Sequence, residues 1–305
     1  MHTFFNPNAP FLSWQQFLKR PDNIGLNVMQ AKQKYLTEQT NYYRMMQPGP
    51  MNMTAVGGAG STDTGPTFTN NFSMNFDGTN DKIFVGESLD VSLGITEAIS
   101  FSAWVKFPLN YNGGANPRFA TIIGEDDVGG TLRNFFFGFR GGSTRGIYTY
   151  LFNTDGTRVG PIHSSTTVND NNWHHVAAAY DGTAGEDTFK VYIDGVNTDS
   201  TGSSSTGVRS TSTVGTIVGS LRDSSPLYPL QADLDELAVF DKGLTSEEVT
   251  TIYNGGVPGD ISSLNPFLWY RFEEGSGTTA TDSGTGGNNG TIDGATYSTD
   301  LPGSG

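Results

Sequence analysis

From Thr67 onward the sequence repeats one unit, a short run of alternating or β-branched apolar residues followed by a break of Gly, Asn, Asp and Ser. The runs are Phe72-Met74-Phe76, Ile83-Val85, Ile99-Val105, Thr121-Gly124, Phe135-Phe139, Ile147-Phe152, Trp173-Tyr180, Phe189-Ile193, Thr216-Gly219, Leu237-Phe240 and Leu268-Phe272. A period of two sends alternate side chains to opposite faces of a strand. Asp77-Gly78, Asp155-Gly156, Asp181-Gly182 and Asp194-Gly195 supply the tight turns that hairpins need. About a dozen strands at this spacing predict an all-β, two-sheet sandwich over residues 67–305, a length within reach of one such domain. The single clear helix expected in this body is Thr245-Tyr253, where Thr245 caps and Glu248 completes a capping box.

Residues 1–65 differ in character. They carry five basic groups against three acidic ones, a net of +2, whereas the remaining residues carry 12 basic and 28 acidic groups, a net of −16. Six of the seven Met also lie in the first 53 residues. Ser13 and Gln16 form a capping-box pattern that places Trp14, Phe17 and Leu18 on one helical face. A second helix is expected from about Leu26 to Met46, with Met29, Leu36 and Tyr43 on a narrow apolar stripe. Two short helices cannot bury these side chains alone, so residues 1–53 read as a helical docking arm. Residues 54–66 have the Gly/Ser/Thr composition of a flexible linker. The arm's partner is either this chain's own sandwich, a symmetry mate in a homo-oligomer, or a larger assembly.

Charge and composition exclude several classes. A formal charge of −14 and a pI near 4.5 oppose binding to nucleic acid or anionic lipid. The sequence contains no Cys, which removes thiolate catalysis and Cys-ligated metals. It has no apolar run of about 18 residues and no basic-then-apolar start, so neither a membrane span nor an export signal is expected.

Five ordered motifs carry a family resemblance. Phe76-Asp77-Gly78-Thr79-Asn80-Asp81, Ile99 to Lys106 (ISFSAWVK), Trp173-His174-His175-Val176-Ala177, Val191-Tyr192-Ile193-Asp194-Gly195 and Asp235 to Phe240 (DELAVF) resemble successive signatures of laminin G-like, concanavalin A-like jelly rolls. Leu244 to Val249 (LTSEEV) continues the series. The run from Leu268 (LWYRFEEGSG) through Asn288-Asn289-Gly290-Thr291 is similar to the segment that opens such domains, yet here it follows the helix. It either completes the sandwich in permuted order or begins a truncated second copy. Permutation is favoured, because too few residues remain for another domain. Its tip, Gly275 to Gly290, reads as a surface loop.

The resemblance implies a calcium site at the sandwich rim, where Asp77, beside the Asn80-Asp81 turn, would meet Asp235. Glu125-Asp126-Asp127 is a second acidic cluster. The competing reading is that these Asp residues only close turns. Asp233-Leu234-Asp235-Glu236 superficially resembles the carboxylate cluster of related glycoside hydrolases. On a regular strand, however, Asp233 and Asp235 share a face while Glu236 points away. Adjacent His174 and His175 face opposite sides and cannot chelate one ion. Trp104 and Trp173 read as packing residues, and one of Trp269 and Tyr270 must face outward. The Ser/Thr-rich stretch 198–213 reads as a solvated hairpin tip.

No phosphate loop, nucleophile elbow or zinc-protease motif is present, so no enzyme activity is expected. The expectation is a non-enzymatic display protein, a laminin G-like domain fixed by its arm to a virion as a phage head-decoration or tail-associated component. A host glycan is its candidate ligand, and the virion or an extracellular surface its location. The alternative is a stand-alone lectin-like module that binds carbohydrate or protein, with calcium as its candidate cofactor.

Overall fold

The computed structural model describes residues 68–86, 89, 98–113, 118–126, 133–142, 145–152, 157–182, 189–198, 215–221 and 227–303. The chain divides into two units, Met1–Gly65 and Pro66–Gly305. The expected arm residues Trp14, Phe17, Leu18, Met29, Leu36 and Tyr43, and the linker 54–66, lie outside the described residues.

The second unit is an antiparallel two-sheet sandwich, as the alternation predicts. One sheet runs β10 (Val196–Asn197), β9 (Lys190–Ile193), β8 (His174–Asp181), β3 (Ala98–Lys106), β12 (Gln231–Phe240), β1 (Ser73–Asp77) and β16 (Thr296–Ser298). β13 (Leu268–Tyr270) pairs with the far half of β12, beyond the reach of β1. The other sheet runs β14 (Thr279–Ala280), β15 (Gly290–Asp293), β2 (Lys82–Gly86), β11 (Thr216–Val218), β4 (Phe119–Asp126), β5 (Arg133–Arg140), β6 (Gly146–Phe152) and β7 (Arg158–His163).

β3 shows how sequence becomes layer. Ile99, Phe101, Ala103 and Val105 point into the sandwich, while Ser100, Ser102, Trp104 and Lys106 point out. Phe101 stacks on Phe137 of the opposite sheet, with ring centroids 5.4 Å apart. Met74, Phe76, Phe135, Phe139, Leu234 and Tyr270 extend the same core, and each such side chain contributes about 1.5–3 kcal/mol of burial.

The helix α1 (Ser246–Tyr253) starts on the expected box: Thr245 Oγ1 accepts from Glu248 N, and the Glu248 carboxylate accepts from Thr245 N. Its Val249 and Ile252 pack against Ala177, Ala179, Tyr192, Ala238, Phe240 and Trp269 on the outer face of the first sheet. Three of these are Ala, which lets the helix lie close to the strands.

The C-terminal run is woven into both sheets: β13 and β16 extend the first, β14 and β15 the second. Its Leu268, Tyr270, Phe272, Ala280 and Ile292 are core residues. The stretch expected as a surface loop therefore contains a strand, β14. Backbone bonding explains the difference. The Asp282 carboxylate accepts from the amides of Trp269, Gly284 and Asn288, each at 2.8 Å, and folds the Gly-rich tip onto β13.

Candidate functional site

The outer face of the first sheet has two unlike halves. One is apolar and lies under α1. The other is polar and forms a groove of about 310 Å³. Register sets its lining: Asn75 of β1 is opposite Asp233 of β12, and Asp77 is opposite Gln231. Lys106 of β3 flanks Asp233 on the other side. Pro108 and Asn171 close the rim. The inward neighbours Met74, Phe76, Ala232 and Leu234 are core residues, so their alternates must face outward.

Hydrogen bonds partly order the groove. Asn75 Nδ2 donates to Asp233 Oδ1 at 2.8 Å. Lys106 Nζ donates to Asp300 Oδ2 at 2.5 Å, and Trp173 Nε1 donates to Asp300 Oδ1 at 2.9 Å. Burial raises the Asp233 carboxyl; the Asn75 bond opposes this, Asp300 adds to it, and Lys106 again opposes. Burial of Asp300 is outweighed by its bonds to Lys106 and Trp173, so that carboxyl is lowered. Gly78 adopts a φ of +82°, and a Cβ there would stand 2.8 Å from the Gln231 Cβ, so this turn leaves Gln231 its seat.

The three residues expected to share calcium do not converge. Asp81 Oδ2 accepts from Asp77 N at 2.8 Å and Asp77 Oδ1 accepts from Thr79 N at 2.7 Å, so both carboxylates close the turn. Burial raises the Asp81 carboxyl, against its bond from Asp77 N, and the Asp77 and Asp293 charges raise it further. Asp235 is opposite Trp104, four positions along β12 from the partner of Asp77, a separation of about 13 Å. The expected meeting of Asp77 and Asp235 is thus ruled out by register. Among the described residues no group of three or more His, Asp or Glu is placed to hold a metal. A calcium ion wants six to eight oxygens, and this set does not fit one.

The orientation expected for Glu236 is also corrected. A bulge interrupts β12 between Asp235 and Ala238, and Glu236 takes a φ of +49°. The extra residue brings Glu236 to the outer face beside Asp235, while Leu234 and Leu237 both point inward. Asp235 Oδ2 accepts from Asn70 Nδ2 at 2.8 Å, and its Oδ1 from Glu236 N at 2.9 Å. Glu236 Oε2 accepts from Trp269 Nε1 at 2.5 Å, and Oε1 from Arg271 Nε at 3.4 Å. Burial and the adjacent Glu236 push the Asp235 carboxyl well up. Burial pushes Glu236 up to about 8 against the pull of Arg271. All four oxygens are engaged by protein donors, so the pair is built as a clasp and presents no oxygen to a substrate.

The remaining candidates take structural places. Buried Glu125 accepts from Leu89 N, Thr216 Oγ1 and Asn134 Nδ2; Asp127 and the side chain of Asp126 lie outside the described residues. His174 bonds Asp194 and Asp170 and is raised by them against its burial. His175 is fully buried, meets Ser102 Oγ at 2.9 Å, and is pushed down to about 4 by burial. Trp104 stacks on Tyr253. Trp269 faces outward and Tyr270 into the core. Residues 199–213 lie outside the described residues. The groove residues Asn75, Lys106 and Gln231 were not singled out as site residues by sequence; their only signal is that the outward positions at this end of β1, β12 and β3 are polar.

A two-sheet jelly roll with a helix on half of one outer face and a polar groove on the other is a concanavalin A-like architecture. The chain belongs to the concanavalin A-like lectin/glucanases superfamily of laminin G type, whose match covers residues 77–250, more than half of its length. Among solved structures it is similar to a Bacteroides ovatus protein provisionally assigned as carbohydrate-binding, at 19% identity and a TM-score of 0.56 over 77% of this chain. This chain spans 62% of that protein. It is also similar to the heptameric SAP-like pentraxin of Limulus polyphemus (16% identity, TM-score 0.49, 76% of this chain and 96% of that one). Domain 4 of an extracellular arabinanase from Geobacillus stearothermophilus, solved with arabinotriose, shares 19% identity at a TM-score of 0.40, over 59% of this chain and 76% of that one. No curated protein is matched by the sequence.

Proposed function

We propose that this chain is a non-enzymatic carbohydrate-binding module. The observation that carries the reading is the open half of the outer face, where Asn75, Asp77, Gln231 and Asp233 stand side by side in one groove. Carboxylates and amides at fixed spacing suit the hydroxyls of a sugar, and the assignment of the Bacteroides protein agrees with this. The clasped state of Asp235 and Glu236 favours binding over hydrolysis. The test is a glycan array probed with the full chain, followed by calorimetric titration of its hits with and without a chelator. Binding that is abolished by Asp233→Ala and unchanged by chelator supports the reading. Loss on chelation assigns the binding to calcium held elsewhere. Turnover of a polysaccharide ends the non-enzymatic reading.

The charge split favours a second element. Residues 1–53, Met-rich and slightly basic beside a body of −16, anchor the module to a larger assembly, and a phage head or tail is the assembly we propose. Recovery of the chain with purified virions, lost on deletion of residues 1–53, tests this. Recovery only as free chains ends it.

A further inference from the structure

We propose that the groove selects uncharged sugars and rejects anionic ones, an inference that rests on the carbohydrate reading above. Asp77 and Asp233 are diagonal neighbours on paired strands, so their side chains stand about 7–8 Å apart. Among the described residues, one oxygen of each receives no donor: Thr79 N takes Asp77 Oδ1, and Asn75 Nδ2 takes Asp233 Oδ1. Two such acceptors span one sugar ring and receive hydroxyls from its opposite edges. Gln231, directly opposite Asp77 and two residues from Asp233 on β12, offers an amide that both donates and accepts. The volume of about 310 Å³ lies at the small end of ligand sites, which suits one or two sugar units.

The charge arrangement decides the class. Among the described residues Lys106 is the one cation lining the groove, and its ammonium is held by Asp300. Asp300 also takes the Trp173 indole N–H, which fixes its carboxylate against the Lys106 side of the groove. A sialic or uronic acid entering here meets Asp77 and Asp233 without a free counter-charge, inside a body of net charge −16. Like-charge juxtaposition at that range is strongly unfavourable. A neutral sugar incurs no such repulsion and satisfies the same oxygens.

The experiment titrates the full chain with matched ligands: a neutral oligosaccharide from the array, its sialylated form, its uronate form, and an amino-sugar oligomer. The neutral ligand is expected to bind at least tenfold more tightly than either anionic form. Asp233→Asn, which keeps the shape and removes the charge, is expected to weaken neutral binding about tenfold and to narrow the gap to the anionic forms. Gln231→Ala gives an independent loss should the Asp233 variant melt early. Equal or tighter binding of an anionic form overturns the inference while leaving the carbohydrate reading standing. So does preference for the amino sugar, or neutral affinity unchanged in both variants. A chain that binds none of the four overturns both.

Discussion

Glu236 accepts the indole N–H of Trp269 at 2.5 Å, and this bond ties the bulge of β12 to the first of the C-terminal strands. Trp269 is opposite Ala238 in that pairing, and the bulge alone lets the Glu236 side chain reach the same face. Arg271 sits over the Trp269 ring at 5.3 Å and over the Phe68 ring at 4.4 Å, and its guanidinium also donates to Thr69 O. One acidic residue thus joins the family body, the C-terminal run and the entry of the chain into the domain.

The protonation of Glu236 links this junction to pH. Its folded carboxyl titrates at about 8 against an ordinary 4.5. Between those values the folded protein holds a proton that the unfolded chain has released, so stability falls as pH rises and levels off above the window. The slope from one such group is roughly 1.4 kcal/mol per pH unit. Asp235, also raised, and His174, raised above 6.5, act with the same sign; His175, lowered to about 4, acts oppositely below 6.5. Glu236→Gln is expected to flatten the decline between about pH 6.5 and 8 in urea unfolding. Parallel curves for the two proteins would show Glu236 ionised in the fold.

Trp269→Phe keeps the packed ring and removes the donor. Glu236 Oε2 is then left buried without its bond, at an expected cost of about 1–3 kcal/mol. Combined with Glu236→Gln, the loss should be smaller than the sum, because both changes act on one contact. Additive losses would separate the two residues energetically.

The frame of the fold was legible because its signals are local. Alternation in Ile99-Val105 separates core from surface, and the Thr245–Glu248 box marks where α1 begins. The bulge was hidden, since positive φ falls on a Glu, where neither Gly nor Asn announces it. Asn75 and Gln231 read as an ordinary solvated strand face; only the register that sets them beside Asp233 and Asp77 makes a groove. Asp77 and Asp235 lie in motifs that suggest shared chemistry, but four strand positions part them.

Glu273 is expected to control the entry segment without controlling the fold. Its carboxylate accepts from Asn71 N at 2.8 Å, Asn71 Nδ2 at 2.8 Å and Phe72 N at 3.2 Å. Glu273→Ala removes the carboxylate that accepts all three bonds at a partly solvated site, so global stability should drop by about 1–2 kcal/mol. Amide exchange at residues 71 and 72 should rise well beyond that of β3. Uniform acceleration across both sheets would place Glu273 in the global unfolding unit instead.

The C-terminal run makes the sharpest distinction between family and fold. The family match ends at residue 250, yet Leu268, Tyr270, Phe272, Ala280 and Ile292 fill the core between the sheets. Removing residues 265–305 would strip β13 and β16 from one sheet and β14 and β15 from the other. It would expose β1 and β2 along edges that are now paired, and it would leave Glu236 buried without Trp269 or Arg271. Each lost core side chain costs about 2–5 kcal/mol, and a few of them exceed the stability of a typical domain. A chain ending at residue 264 is therefore expected to be insoluble or to lack a cooperative thermal transition. Adding residues 265–305 back as a separate polypeptide should restore both, because the segment's contribution is pairing and burial. A cooperative melt of the truncated chain alone would show that the strands of 73–240 close the sandwich without it.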